Sequence, residues 1–523
     1  MYIGDTLGRR AIYTPDRLAV VDAGKPDRPH YTYRQMNERA NRFANWLRDE
    51  VGVGKGDRIG IIAHDGVEFL DAFHACGKLG AILACYNWRM HWRELAQVIA
   101  DTTPKLLIYS DEFRESVANL LPESPSVTHA LHIEGAGVVG SQRFEDALQS
   151  GDPAPVVDES ITEEDIVALI FTGGTTGLPK GAQISHRMIG WNTLNTVIHD
   201  ILPGDTTVNV FPMFHTGGLL VYTAPLMIVG GTVILVRRFD PELVLSLIDE
   251  YRADFFAGVP TMYQMLTQAS NWEQADLSSL RFCTSGGAPL PVTLVEQFER
   301  EKGVRFKQGF GMTEFGPGIF ALAPEDAIRK AGSIGRPNFF VDARVVDDEN
   351  RPLPPDTVGE LVLKGPSICS GYFNLPGAMD EVMDDEGWFH TGDLARYDDE
   401  WYFFIVDRKK DMFISGGENV YPAEVEQALY RHPAVQQCAV VGVPDARWGE
   451  AGVACVVPKP GAPASEDDLL AFLQGCLARY KVPKSVVFFD ALPISAAGKI
   501  LKRELREQLT GVRSTDDTSR SDD

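Results

Sequence analysis

Short β-branched and apolar runs alternate with stretches of helical spacing through the first three hundred residues, which is how parallel sheets covered by helices are written in sequence. Residues 58–62 read as a strand, after which Phe69, Leu70, Phe73, Cys76 and Leu79 recur at three- and four-residue intervals and predict one apolar helix face. Further strands are predicted at 105–109, 166–171, 232–236, 280–284 and 304–310, with a helix at 241–252. After about residue 330 the pattern turns to hairpins, with the turn Asp347-Asp348-Glu349-Asn350 between strands at 343–346 and 360–363. The charged run Asp407-Arg408-Lys409-Lys410-Asp411 reads as a link, and mixed helix and strand follow to about Leu509.

These patterns predict an α/β protein. Repeated β-α-β units and a small β subdomain would fill a large N-terminal domain, 1–407; a small α+β domain, 408–510, and a disordered tail, 511–523, would follow. A length of 523 residues requires more than one core, and 44% hydrophobic against 23% charged residues suffices to bury them.

Net charge is −24, from 49 basic and 73 acidic side chains, and this disfavours nucleic acid as a partner. Seven scattered cysteines without a C-x-x-C pair point away from a zinc site or disulfide framework and towards a reducing cytoplasm. The N-terminus carries no apolar run of signal-peptide length. The uncharged stretch 215–236 is interrupted by Pro225 and Gly230-Gly231, so it predicts a buried helix at 219–229, a turn and a strand rather than a membrane span.

The densest chemistry follows strand 166–171. In Thr172-Gly173-Gly174-Thr175-Thr176-Gly177-Leu178-Pro179-Lys180-Gly181 the glycines let successive backbone N–H groups turn towards one anion, the threonines add hydroxyls and Lys180 adds a cation. Pro179 before Lys180 separates this string from a Walker A loop, which needs glycine there. The string resembles the signature loop of the adenylate-forming enzymes, a family of acyl-CoA synthetases, luciferases and nonribosomal adenylation domains. It departs from the commonest form at Gly173, where serine is usual.

Further motifs carry the resemblance over nearly all of residues 10–508. Ser285-Gly286-Gly287-Ala288-Pro289 is similar to the wall of an adenine pocket. Gln308-Gly309-Phe310-Gly311-Met312-Thr313-Glu314 ends a strand at its carboxyl edge, where open α/β sheets place ligands. The resemblance implies Mg²⁺ on Glu314 and phosphate beside Thr313. Asp393, in His390-Thr391-Gly392-Asp393, would hold the ribose hydroxyls together with Arg408. Lys499, in the Pro493-to-Ile500 loop, would neutralise charge as a carboxylate attacks the α-phosphate. The resemblance thus implies catalytic roles for Lys499, Glu314, Thr175 and His215. It further implies a hinge at Lys410 and a coenzyme A tunnel beside Ser415, Gly416 and Gly417. For the fold it implies two doubly wound α/β subdomains and a small β-barrel-like subdomain within 1–407, and a small mobile α+β domain at 408–510.

Phe211-Pro212-Met213-Phe214-His215-Thr216-Gly217-Gly218 lacks the acid that amino-acid adenylation domains place there. His215 is read as a pocket residue, a buried structural histidine being the alternative, and Phe214, Gly217, Gly218 and Phe315 suggest an apolar acyl slot. The expectation is an ATP-dependent acid–CoA ligase acting on a fatty or aromatic monocarboxylic acid, with ATP, Mg²⁺ and coenzyme A as small-molecule partners. Delivery to a carrier protein and a luciferase-like oxygenase remain alternatives, and a homodimer is left open.

Overall fold

The computed structural model describes residues 3–172, 179–199, 201–288, 290–415, 417–445, 447–462, 464–494 and 500–511. Compactness divides the chain into two units, Met1–Ala343 with Leu363–Phe389, and Arg344–Val362 with His390–Asp523.

The first unit holds two large sheets. One runs, in spatial order, Gln142–Arg143, His129–Ile133, Leu106–Ser110, Arg58–Ile62, Ile82–Cys85, Ile166–Thr172 and Lys180–Ser185, all parallel except the last pair. The other places Phe306–Phe310, Phe282–Gly286, Phe255–Gly258, Thr206–Asn209, Thr232–Leu235 and Leu18–Asp22 side by side and parallel, with antiparallel strands at both edges. In each sheet one strand reverses the order of connection. Arg58–Ile62 stands between Ile82–Cys85 and Leu106–Ser110, and Thr206–Asn209 stands between Thr232–Leu235 and Phe255–Gly258. Crevices outside the carboxyl ends of such strands are where doubly wound sheets bind ligands.

Helix Val67–Leu79 is buried on every side, beyond the single face that periodicity predicts. Its charged residues are neutralised in place: Glu68 pairs with Lys25, Asp71 with Arg39 and Lys78 with Asp5, at 2.5, 2.7 and 2.6 Å. Pairing of this kind makes burial of charge tolerable. The strand Arg58–Ile62 forms with the bounds expected, and helix Pro241–Glu250 and the other predicted strands form with ends within two residues of those expected. Within 215–236 the helix begins later than expected, at Thr223, and ends at Gly230, whose φ of +86° suits glycine. No described helix is long and apolar enough to cross a membrane.

The second unit contains a four-stranded sheet in the order Asp342–Val346, Gly359–Lys364, Phe389–Tyr397 and Phe403–Arg408. Its second sheet joins Glu418–Val420, Phe413–Ser415, Gly449–Pro458 and Val435–Asp445, with Ser485–Phe488 parallel to Gly449–Pro458. Helices Pro422–Leu429, Glu466–Gln474 and Lys502–Thr510 accompany it. Asp407 and Arg408, read above as part of a link, are the last residues of a strand, because Arg408 pairs with Asp393 across the ladder. Residues 512–523 of the expected tail lie outside the described residues.

Candidate active site

The phosphate-loop string leaves Ile166–Thr172 and returns as Lys180–Ser185, with Thr172 opposite Lys180 in an antiparallel register. It is therefore a hairpin connection, and helix His186–His199 starts one strand later than a strand-to-helix turn would place it. Gly173, Gly174, Thr175, Thr176 and Gly177 lie outside the described residues. Thr172 and Lys180, both half-buried, mark the two feet of the loop.

Glu314 sits in a short turn, Thr313–Phe315, just past the carboxyl end of Phe306–Phe310. The approach is tight, since a Cβ on Gly311 would collide with the carbonyl of Pro317. Gln308 is buried and its Oε1 accepts from Leu290 N, at 3.3 Å, while Ser285 and Gly286 pair in register with Gln308 and Gly309. The two motifs expected at the adenine, Gly286-Gly287-Ala288 and Gln308 to Met312, thus share adjacent strand ends. Gly287 adopts φ +79°, which favours glycine whatever surrounds it. Pro289 lies outside the described residues.

Glu314 is half-buried and its Oε1 accepts from the hydroxyl of Tyr372 at 3.0 Å. Lys180 Nζ lies 5.1 Å from the centroid of the same ring. Burial first, and then the neighbouring Glu314 carboxylate, push the Tyr372 phenol well above its ordinary pKa, so it stays a donor. The segment carrying Tyr372 is laced to both sides. Gln183 N donates to Gly371 O at 2.9 Å and Phe373 N to Gly181 O at 2.8 Å, while Cys369 N donates to Glu314 O at 2.7 Å. Arg187, in the helix after the phosphate strand, donates to the carbonyls of Pro366 and Ile368. Tyr372 was missed in the sequence because only its tertiary partners reveal it.

The pocket loop Phe211 to Gly218 leaves the switch strand of one sheet and is held by a residue at the switch point of the other. Asp65 Oδ1 accepts from Met213 N at 2.9 Å, and its Oδ2 from Asn209 Nδ2 at 3.4 Å. Burial pushes the Asp65 carboxyl up to about 8, so it carries its proton at neutral pH. On the outside, the guanidinium of Arg89 lies 4.5 Å from the Trp88 ring and 5.5 Å from that of Phe214. His215 is exposed, which corrects the alternative of a buried structural histidine. Its Nδ1 accepts from Gly217 N at 3.1 Å, which places the hydrogen of the neutral ring on Nε2. Gly218 is a glycine because a Cβ would strike the carbonyls of Phe211 and Pro212. Phe214 and Phe315 are buried, and the Phe315 ring lies 6.2 Å from that of Phe389.

In the second unit, Asp393 and Arg408 are cross-strand partners, with Arg408 Nε 2.7 Å from Asp393 Oδ1. The Asp393 side chain is 3% exposed and that of Arg408 43%, so the pair presents its cation outward. Asp407, next to Arg408, accepts from Ala423 N at 2.7 Å. Lys502 pairs at 2.8 Å with Glu426, whose Oε1 also accepts from Val440 N at 2.7 Å. Burial raises the Glu426 carboxyl; for Lys502 the attraction of Glu426 and Asp407 overrides burial and raises the ammonium. Helix Lys502–Thr510 is anchored by this pair. Lys499 lies outside the described residues, but the feet of its loop close on each other through an Ile494–Ile500 bridge and Leu501 N to Pro493 O at 2.9 Å.

Lys410 occupies the turn between Phe403–Arg408 and Phe413–Ser415. Ser415 is buried and opposes Glu418; Gly416 lies outside the described residues, and Gly417 has φ +89°. That dihedral accounts for glycine at 417 by itself.

The profile of the AMP-binding enzyme family matches residues 7–373, and that of the AMP-binding enzyme C-terminal domain matches residues 424–499. Feruloyl-CoA synthase from an Amycolatopsis species is 42% identical over 501 residues, spanning 96% of this chain and 97% of that protein. Indoleacetate–CoA ligase from Aromatoleum aromaticum is 36% identical, spanning 94% and 96%. The crystal structure of ATP-bound MatB from Rhodopseudomonas palustris superposes with a TM-score of 0.86 at 32% identity, covering 97% of this chain and 98% of that one.

Proposed function

We propose, from the premise that this chain belongs to the AMP-binding enzyme family, that its carboxylic acid substrate is an aryl-substituted propenoic or acetic acid. The chain is an ATP-dependent acid–CoA ligase. What carries the aromatic reading is the 42% identity to a feruloyl-CoA synthase over nearly the whole of both proteins. The cytoplasmic setting expected from the scattered cysteines belongs to the same reading.

In the first half-reaction a carboxylate oxygen bonds to the α-phosphorus and the bond to the β-phosphate breaks, releasing pyrophosphate. Glu314 offers the hard carboxylate oxygens that magnesium takes, and as a half-buried anion without an ion-pair partner among the described residues it suits the metal of MgATP. Bound there, the metal would offset phosphate charge. Lys180 and the loop from Thr172 to Gly177 hold the phosphates, with Thr313 beside them. Asp393 accepts from the ribose hydroxyls while Arg408 holds the partner side of that contact. Lys499 meets the charge that develops at the α-phosphate, an effect exerted in the transition state.

In the second half-reaction the thiol of coenzyme A loses its proton, its sulfur bonds to the acyl carbon, and the bond to AMP breaks. Lys499 serves the first step and the turn at Ser415 to Gly417 the second, and both steps require that water be kept from the reactive adenylate. His215, on the pocket loop, would hydrogen-bond the acyl carboxylate.

A panel of ferulic, cinnamic, indoleacetic, benzoic, octanoic and hexadecanoic acids, each with ATP, Mg²⁺ and with or without coenzyme A, tests the reading. Aryl propenoic or acetic acids should give AMP, pyrophosphate and thioester with the highest kcat/KM. Preference for hexadecanoic acid would replace the aromatic assignment with a fatty one.

A further inference from the structure

Two oppositely charged side chains of the site, Lys180 and Glu314, form no ion pair with each other or with any other described residue, although both approach one phenol ring. The hydroxyl of Tyr372 donates to Glu314 Oε1 at 3.0 Å, and Lys180 Nζ lies 5.1 Å from the ring centroid. A cation at that range over an aromatic ring is attracted without being neutralised. A carboxylate accepting one neutral hydrogen bond likewise keeps its charge and most of its lone pairs.

We propose that Tyr372 is a positioning residue that holds Lys180 and Glu314 apart, each still charged and oriented, so that MgATP meets a site it need not first pull open. The inference rests on Glu314 and Lys180 serving MgATP as set out above. Without the ring, a lysine and a glutamate on neighbouring segments are free to pair directly, and nucleotide binding would then have to break that pair. The backbone supports the role, because Tyr372 is bridged to Ala182 on the phosphate strand and Cys369 N donates to Glu314 O at 2.7 Å. The spacer is therefore attached to both of the elements it separates. Its orienting effect falls on Oε1, and the carboxylate's other oxygen would be the one to hold magnesium.

The test measures nucleotide binding by calorimetry, without acid or coenzyme A, for MgATP and for metal-free ATP. Tyr372→Phe keeps the ring and loses the hydroxyl; it should raise the Kd for MgATP about tenfold, as expected for one hydrogen bond to a charged group, and leave metal-free ATP unchanged. Tyr372→Leu also removes the spacer and should weaken metal-free ATP as well. Equal affinity of Tyr372→Phe and the parent protein for MgATP would overturn the proposal. So would a proportionate loss for both forms of the nucleotide, which is what a merely structural role gives. Glu314→Gln separates this from the reading beneath it. If that variant loses the magnesium enhancement while Tyr372→Phe does not, the positioning role alone is wrong; if Glu314→Gln keeps the enhancement, the metal assignment fails and the proposal with it. Thermal melts of the Phe variant establish that it is folded.

Discussion

Arg408 Nε lies 2.7 Å from Asp393 Oδ1 across a single pair of antiparallel strands, so two side chains fifteen positions apart act as one unit. A buried carboxylate held by a half-exposed guanidinium has its orientation fixed in advance, and if the pair takes ribose as proposed, that reduces the ordering binding must supply. Asp393→Asn keeps the shape and removes one acceptor. It should lower kcat/KM for ATP about tenfold and shrink the preference for ATP over 2′-deoxy-ATP by a similar factor. An undiminished preference would mean that the pair serves the strand ladder alone.

Lys499→Ala should reduce acid-dependent ATP–pyrophosphate exchange by about 10²- to 10³-fold, the usual effect of losing one transition-state charge contact. Thioester formation from preformed acyl-adenylate and coenzyme A should continue near the parent rate. Comparable loss in both assays would remove Lys499 from the adenylation step.

Two imidazoles buried in the first unit, His74 and His186, bear on acid stability. Burial pushes each down to about 4, reinforced at His74 by Lys78; Asp5 beside His74 and Asp165 beside His186 pull the other way without reversing it. Unfolded histidine titrates near 6.5. The folded rings therefore stay neutral while the unfolded ones take up protons, so the stability they allow is complete above pH 6.5 and declines as pH falls towards 4. Urea melts between pH 7.5 and 4.5 should show this decline, and His74→Gln with His186→Gln should flatten it. An equally steep decline in the double variant would assign it to the carboxylates.

Asp393, inside strand Phe389–Tyr397, was read only through the family resemblance, whereas the strings at Ser285 to Pro289 and Gln308 to Glu314 were legible because apolar runs stop and small residues begin there. Gly286, Gly311 and Gly218 are visible as glycines for that reason, and the structure supplies the cause at the last two, a carbonyl where a Cβ would sit. Other features had no local signal. Periodicity could not show that Val67–Leu79 is buried all round, since Glu68, Asp71 and Lys78 look like a solvated face until Lys25, Arg39 and Asp5 are found against them. Asp65 and Tyr372 were likewise invisible, because their partners lie 148 and 58 residues away. Gly417 is a case where a backbone cause stands beside a proposed functional one. Its dihedral demands glycine, so a tunnel role has to be separated from turn strain by comparing leucine with asparagine, which tolerates the left-handed region.

The lacing of residues 366–373 to the phosphate strand, to Arg187 and to the backbone of Glu314 has a consequence for anyone exchanging parts between relatives. A graft that carries the phosphate hairpin alone would arrive without the strand that completes its edge and without the phenol that meets its lysine. The smallest transplantable piece is discontinuous: the hairpin, the Glu314 turn and the Tyr372 segment travel together or not at all.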